Sequence, residues 1–277
     1  MKIFSKVFLA IILISQITVA QTSRFIYQVT MKPDSTNKSD VKTELARLDI
    51  SPEKSLFYGE KRVQRDSLME RMRATRNFDR NAMQNLRSNI DFIVEKDLVK
   101  NVTTFKTRLG RDQYFYEEDR TMDWKILPET VKIGEYEAQK AETTFAGRKW
   151  YAWFTQEIPF QDGPYKFKGL PGLIIKVEDS KGDYSFDLMQ TKKLSEFPTF
   201  ETRGTPIKVK RADYEKQEKA FRQDPVTFMT NSFTQGGGFG GPGGGMMRQI
   251  DPNDRKQMED RLRDEIKKNN NPIEFSK

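Results

Sequence analysis

The stretch that decides the fold runs from Gly147 to Asp179 and reads G-R-K-W-Y-A-W-F-T-Q-E-I-P-F-Q-D-G-P-Y-K-F-K-G-L-P-G-L-I-I-K-V-E-D. In residues 150–155 successive side chains point to opposite sides of an extended chain, and both sides are largely apolar. We therefore predict a strand that is either covered on both faces, or covered on one face and open to a ligand or a partner on the other.

The part of this stretch from Gln156 to Pro171 is predicted to be a loop or an edge segment. Proline has no N–H to donate to a strand ladder, and glycine supplies the positive φ angles that tight turns require. The segment and the residue after it hold three of each, namely Pro159, Gly163, Pro164, Gly169, Pro171 and Gly172. These prolines and glycines favour a loop of fixed shape.

The pattern becomes regular again after the loop. Residues 173–177 and 184–188 alternate apolar side chains on one face, and the sequence D-S-K-G-D at 179–183 is typical of a turn. These features predict an antiparallel hairpin.

The hexapeptide G-L-P-G-L-I at residues 169–174 follows W-Y-A-W-F-T-Q-E-I-P and D-G-P-Y-K-F. With these motifs the chain resembles the GLPGLI family of secreted proteins, most specifically between Ile133 and Asp187. The resemblance implies a protein exported by a Gram-negative bacterium and says more about fold than about chemistry. The family often has a cysteine in the pattern G-Y-x-C-x-K-A, but this chain has Ala138 there, so the resemblance brings no thiol-dependent role.

The first twenty residues are predicted to be a signal peptide, because a positively charged start is followed by an apolar run and a small-residue cleavage site. The mature chain then begins at Gln21, and residues 21–277 are expected to form one domain. Without cysteine there is no lipid-attachment motif, and no later stretch is apolar enough to cross a bilayer. We expect a periplasmic or secreted protein without a transmembrane segment.

The composition removes many classes of function. The chain has no histidine and no cysteine, so the commonest general base, the thiolate nucleophile and the usual zinc ligands are missing. The net charge of +8 becomes +6 when Lys2 and Lys6 leave with the signal peptide. Because acidic and basic residues are finely interspersed, we interpret the charge as a solvated surface. We expect no cofactor, no metal and no nucleic acid partner.

The rest of the chain gives the architecture. Alternating patterns predict strands at 24–31, 45–50, 55–58, 99–109 and 113–117, and the meander is expected to continue through Trp124 and the loop stretch to Met189. Apolar residues at helical spacing predict an amphipathic helix over 62–89 with an interruption near 77–80.

Two further helices are expected towards the C-terminus. One covers 212–222, and the other begins at Asp251 with Met258, Leu262 and Ile266 on its apolar side. A flexible Gly-rich loop at 235–246 lies between them. Together these features predict an α+β fold, mainly antiparallel β, with a single curled, half-barrel-like meander sheet and helices packed against it.

Two polar patterns were weighed as catalytic sites. Ser51 and Lys54 have the spacing S-x-x-K, but Pro52 between them opposes the helix that this motif requires. The acidic residues Glu117, Glu118, Asp119 and Asp123 have the chemistry of acid, base or calcium ligands, yet a turn with solvated carboxylates is the expected structure.

We therefore favour a non-catalytic binding or carrier module for an apolar ligand or an envelope protein partner. Its predicted binding residues are Tyr151, Trp153, Pro164, Tyr165, Phe167, Leu170 and Pro171. This hypothesis requires an apolar cavity of a few hundred cubic ångström.

Three alternatives stay open. In the first, the chain is an assembly partner of an outer-membrane complex that uses the Gly-rich loop and the C-terminal helix. In the second, it is a hydrolase with two paired carboxylates, one of raised pKa. In the third, the aromatic residues and glycines serve packing and backbone geometry alone.

Overall fold

The computed structural model describes residues 22–110, 112–200, 205–228 and 252–275. The predicted signal peptide, the Gly-rich loop at 235–246 and Asp251 lie outside these residues.

The described residues form twelve strands and four principal helices. The strands are β1 Thr22–Met31, β2 Lys42–Ile50, β3 Lys54–Gly59, β4 Phe92–Asp97, β5 Val102–Leu109, β6 Asp112–Glu117, β7 Lys125–Ile133, β8 Tyr136–Phe145, β9 Arg148–Thr155, β10 Leu173–Asp179, β11 Tyr184–Leu194 and β12 Ile207–Lys208. The helices are α1 Glu60–Thr75, α2 Arg80–Asn85, α3 Arg211–Gln223 and α4 Pro252–Lys268.

All twelve strands belong to one sheet in the order β12-β6-β5-β4-β3-β2-β1-β11-β10-β9-β8-β7. Neighbouring strands are antiparallel except β12, which runs parallel to β6. The predicted α+β fold with a single, mainly antiparallel sheet is confirmed, as is the 173–188 hairpin, which is β10 and β11.

The prediction of one continuous meander is wrong between β6 and β7. The two strands lie near opposite edges of the sheet, so the sheet consists of two meanders that meet where β1 pairs with β11. Residues 118–124 make the crossing. They are held by contacts with the β9–β10 loop, including the Nε1–H of Trp124, which donates to the carbonyl of Lys168 at 2.9 Å. Such tertiary contacts are invisible to strand periodicity.

The sheet curls around its inner face. The rings of Phe57 on β3 and Phe186 on β11 have centroids 6.0 Å apart, although three strand spacings separate the two strands. A flat sheet would hold those strands about 14 Å apart. Inward side chains from both meanders therefore meet in one core.

The β9–β10 loop, residues 156–172, fills this curl. Tyr165, Phe167 and Leu170 are 2%, 0% and 1% exposed and belong to the same core cluster as the inner faces of the strands. The ring of Phe167 packs edge-on against Trp150 of β9 at 4.8 Å. The prediction of a loop over this segment is confirmed, and the loop acts as the plug of the half barrel.

The helices lie around the sheet. Leu68 and Met72 are the buried residues of α1, which contacts β2 and β3. The predicted break of the first helix is confirmed by the gap between α1 and α2. On α3, Tyr214 packs against the ring of Tyr116 at 5.3 Å. Among the described helices, none is long and apolar enough to cross a membrane.

Residues 269–275, here called the tail, dock onto the sheet after α4. Asn271 donates its backbone N–H to the carbonyl of Pro33 and its side-chain amide to the carbonyl of Lys32, both at 2.8 Å. Ile273 packs against the core, and Phe275 donates its N–H to the carbonyl of Ala146 at 2.9 Å. Ile273 and Phe275 therefore join the C-terminal part of the chain to the sheet.

Candidate functional site

The structure divides the seven predicted binding residues among three environments. Tyr151 and Trp153 are half-buried on the outer face of β9, Pro171 is exposed, and the other four are buried, namely Pro164, Tyr165, Phe167 and Leu170. The structure therefore does not bring these seven residues onto one surface. The reason is that the loop returns over the inner face of the sheet, on the side opposite to Tyr151 and Trp153.

Lysine side chains cover the outer aromatic pair. The ammonium group of Lys140 lies 4.8 Å from the ring centroid of Tyr151 and 5.6 Å from that of Trp153. Lys149 lies over Tyr151 at 5.2 Å and Lys176 over Trp153 at 5.7 Å. Through these cation–π contacts, lysines of the same chain occupy the faces of both aromatic rings.

A cleft of about 750 Å³ opens beside the loop. It lies where the turns after β2 and β4 meet residues 118–122 and the β9–β10 loop, and its lining also includes Thr103 of β5 and Phe145 of β8. Its volume is within the range of about 300–1,000 Å³ that is usual for small-molecule sites.

One wall of the cleft is a closed network of charges around Lys166. The Lys166 ammonium donates to Glu118 and contacts Glu274, each at 2.7 Å, and donates to the hydroxyl of Tyr116 at 3.0 Å. Arg120 bridges the same two carboxylates at 2.7 Å. This network links the crossing segment, the loop and the tail.

The network keeps both carboxylates ionised. Burial alone would raise the pKa of Glu118, but the hydrogen bond from Arg120 and the charge of Lys166 outweigh burial and lower the pKa to about 2. Burial likewise opposes ionisation of Glu274, and the charges of Lys166 and Arg120 lower its pKa. Burial and the charge of Glu274 raise the pKa of Tyr165, whose hydroxyl donates to Glu274 at 2.6 Å.

A second buried lysine lies beside the floor of the cleft. Lys96 of β4 is 0% exposed and donates to Oδ1 of Asp162, to the carbonyl of Gly163 at 2.6 Å and to the carbonyl of Phe167 at 3.1 Å. Burial lowers the pKa of Lys96, and the charge of Asp162 opposes that shift. Its three ammonium hydrogens are all donated, so this lysine anchors the loop to the sheet.

The surroundings of Lys96 hold oxygen atoms without partners. Its register partners across the sheet are Ser55 on β3 and Thr103 on β5. Within the described residues Ser55 Oγ, Thr103 Oγ1 and Asp162 Oδ2 are buried and accept or donate no hydrogen bond. Buried polar atoms are rarely left unpaired. Thr103 and Asp162 also line the cleft.

The catalytic patterns weighed in the sequence have different outcomes. Ser51 and Lys54 bond to each other within the turn after β2, where Ser51 Oγ donates to the Lys54 carbonyl at 2.9 Å. Glu117, Asp119 and Asp123 are exposed as expected, but the expectation of a solvated Glu118 is wrong, because its side chain is 5% exposed. No group of three or more acidic residues within the described ranges is placed to hold a metal ion.

Sequence reasoning missed the two buried lysines. Lys96 carried a signal, because it alternates in phase with Val94, whose side chain is fully buried on the inner face. Lys166 carried none, since it stands between two aromatic residues in an irregular loop.

Comparison with known proteins finds a family model that resembles part of this region. A family model described as a protein of unknown function, Porph_ging, matches residues 143–176, which comprise the end of β8, all of β9, the whole loop and the start of β10. No curated protein matches the chain.

Two solved structures of a protein called PNGF-II, in different crystal forms, resemble the fold. Their TM-scores are 0.51 and 0.50, at 16% sequence identity, and the match covers 71% and 73% of this chain. It covers 33% and 34% of those chains, so this chain matches about a third of their length. At this identity the likeness concerns the fold alone.

Proposed function

We propose that this chain is a non-catalytic binding module of the GLPGLI type, which receives a small ligand in the cleft beside the β9–β10 loop. The proposal rests on two buried oxygen atoms, Thr103 Oγ1 and Asp162 Oδ2, which have no hydrogen-bond partner in the described part of the chain. The residues that carry these atoms line a cleft of ligand size. Because both atoms are withdrawn from water, a ligand reaches them only when the two side chains turn towards the cleft. The bonds then formed satisfy atoms that otherwise have no partner in the described chain.

The location of the ligand differs from the first hypothesis. The inside of the curl is filled by Tyr165, Phe167 and Leu170, so a large apolar ligand has no room beneath the sheet. The cleft at the rim has a mixed lining, with polar and charged groups from the crossing segment and the loop. The function proposed is therefore recognition of a compact ligand with polar groups, and not transport of a lipid.

The electrostatics of the cleft favour binding over hydrolysis. A carboxylate that acts as a general acid needs a raised pKa, whereas the pKa values of Glu118 and Glu274 are both lowered. The Lys96 side chain is bonded to Asp162 and to two loop carbonyls, so its nitrogen is not free to take a proton from a substrate.

The proposed setting is the cell envelope. It is supported by the signal-peptide pattern of residues 1–20. In this setting the module serves as a receptor for a soluble ligand, with the outer lysine-covered face of β9 left for contacts with envelope proteins.

The test is whether the protein purified from producing cells carries a ligand in the cleft. Native mass spectrometry of the wild-type protein is expected to show a bound small molecule. The variant Gln161→Trp places a large ring at the rim of the cleft and is expected to lose it. The control Gln190→Trp makes the same change at an exposed position of β11 and is expected to keep it.

Equal ligand occupancy in the two tryptophan variants would show that the cleft is not the site. Native spectra without any bound molecule, before and after incubation with an envelope extract, would refute the binding function.

A further inference from the structure

We propose that the ligand of the cleft is a neutral polyhydroxy compound that offers hydroxyl groups to Asp162 and Thr103 and an apolar ring face to the apolar side chains of the lining. This inference rests on the proposed function and specifies the chemistry of the same site.

The charges of the cleft point to a neutral ligand. The lining carries three carboxylates, Glu118, Asp119 and Asp162, and three cations, Arg120, Lys166 and Lys168. Each carboxylate has a cationic partner: Glu118 pairs with Arg120 and Lys166, Asp119 with Arg211 and Asp162 with Lys96. No carboxylate in the lining is left to attract a cationic ligand.

The cations of the lining are also engaged. Lys166 and Arg120 share the two carboxylates of the closed network. Lys168 donates to the side-chain oxygen of Asn101 at 2.8 Å, and burial together with the charge of Lys96 lowers its pKa. An anionic ligand would have to displace the carboxylates from Lys166 and Arg120. Lys168 has no carboxylate partner within the described residues, so binding of propionate tests whether this lysine selects an anion.

The unpartnered atoms define which hydrogen bonds are missing. Asp162 Oδ2 is an acceptor on a carboxylate whose charge Lys96 already balances, so a neutral donor suffices. Thr103 Oγ1 can both donate and accept. A ligand hydroxyl has the same double capacity, so it can pair with either atom. An ammonium group donates only, and a carboxylate accepts only.

The lining of the cleft also includes apolar side chains. Ile50, Pro52, Met122, Phe145 and Phe160 belong to the lining. Phe160 is half-buried and is held edge-on against Phe25 of β1 at 5.9 Å, so its ring is fixed in place. A ring compound with hydroxyls at its edge and C–H groups on its face matches such a site, because the face buries apolar surface while the edge is hydrogen-bonded.

The experiment is titration calorimetry of the full mature protein, freed of any co-purified ligand by dialysis. The neutral polyols are glucose and myo-inositol, and the matched probes are propylammonium, propionate and propionamide. We expect binding of at least one polyol and of none of the three matched probes.

Two hydroxyl deletions test the atoms. Thr103→Val keeps the shape of the side chain and is expected to weaken polyol binding about tenfold, the effect of one lost hydrogen bond. Ser55→Ala removes the other unpartnered hydroxyl beside Lys96, in a residue that does not line the cleft, and is expected to leave polyol binding unchanged.

Each remaining outcome overturns the inference. In one such outcome the protein binds propylammonium, propionate or propionamide and neither polyol. If Thr103→Val abolishes that binding, the cleft has another ligand class and the proposed function stays intact. Polyol binding that Thr103→Val does not weaken would place the sugar-like ligand elsewhere. Absence of binding by both polyols would refute the ligand class, whereas the proposed function is decided by the native mass spectra.

Discussion

One buried lysine lies in the β9–β10 loop and a second is bonded to that loop, and the two differ in whether the polar groups around them are all paired. Lys166 lies among two carboxylates, an arginine and two tyrosines, and each carboxylate of that network is paired. Lys96 is itself saturated, but Ser55, Thr103 and Asp162 around it each retain an oxygen without a partner in the described chain.

The contrast separates two uses of buried charge. A fully paired network stabilises one arrangement of the chain and has nothing left to offer a ligand. A network with open positions is less stable by itself and gains when another molecule fills them. We therefore interpret the Lys166 network as a structural connection between chain segments, and the Lys96 cluster as the part that receives a ligand.

The largest expected effect comes from breaking the closed network. Lys166→Met leaves Glu118 and Glu274 to share Arg120, and removing one partner from a buried ionic network typically lowers the free energy of unfolding by about 3–5 kcal/mol. Urea unfolding followed by circular dichroism measures it. Lys168→Met, two residues away, removes a half-buried lysine that bonds to Asn101, and is expected to lose about 1 kcal/mol or less. Similar losses in the two variants would contradict the distinction.

The next effect concerns the loop that carries both clusters. In Gly172→Ala the new Cβ would lie 2.1 Å from the carbonyl oxygen of Thr155, at a φ of +149°, so the loop must shift. We expect a loss on the order of 3 kcal/mol, together with disturbance of both lysine sites. Gly169→Ala also meets a positive φ, but no atom lies within 4 Å of its Cβ, so a loss of about 1 kcal/mol is expected. Thermal unfolding of the two alanine variants makes the comparison, and a reversed order would contradict it.

Acid is expected to open the Lys166 network. The folded-state pKa of Glu118 is lowered from its usual 4.5 to about 2, so its contribution is fully present above pH 4.5 and is lost as the pH falls towards 2. The contribution is on the order of 3 kcal/mol. Unfolding free energies measured across this range should fall less steeply in Glu118→Gln. Parallel curves for this variant and the wild type would show that the network does not carry the acid sensitivity.

The smallest expected effects come from removing one hydroxyl group in each cluster. The resulting changes in the free energy of unfolding are expected to differ in sign or size. Tyr116→Phe removes an acceptor from Lys166 and is expected to lower the free energy of unfolding by about 1 kcal/mol. Ser55→Ala removes a buried hydroxyl that has no partner in the described chain, and is expected to leave the ligand-free protein equally stable, or more stable by up to about 1 kcal/mol. Equal losses in both would indicate that Ser55 has a partner in solution, such as a bound water.

The sequence was informative where one local pattern determines the structure. Residues 173–188 alternate at period two around a turn, and β10 and β11 form there. The break in the first helix was also predicted correctly. The position of β7 was not, because no local pattern distinguishes a turn to the next strand from a crossing to the far edge of the sheet.

The site was harder to predict than the fold. The aromatic residues of the loop were recognised, but their direction depends on the loop folding back over the inner face, which proline and glycine positions alone do not specify. The partners of Lys166 come from residues 116–120 and from Glu274, more than a hundred positions further along the chain. Such pairings depend on tertiary structure.

The docked tail has a consequence for biosynthesis. A ribosome makes Asn271 and Glu274 after Arg148 and Lys166, the cations that these residues satisfy. A nascent chain that has reached α4 still lacks the groups that join its two meanders at the tail, so its final closure waits for the tail to be translated. In the export that we propose for this chain, the late closure would keep the polypeptide unfolded, and therefore able to pass through a secretion channel, until the tail is made.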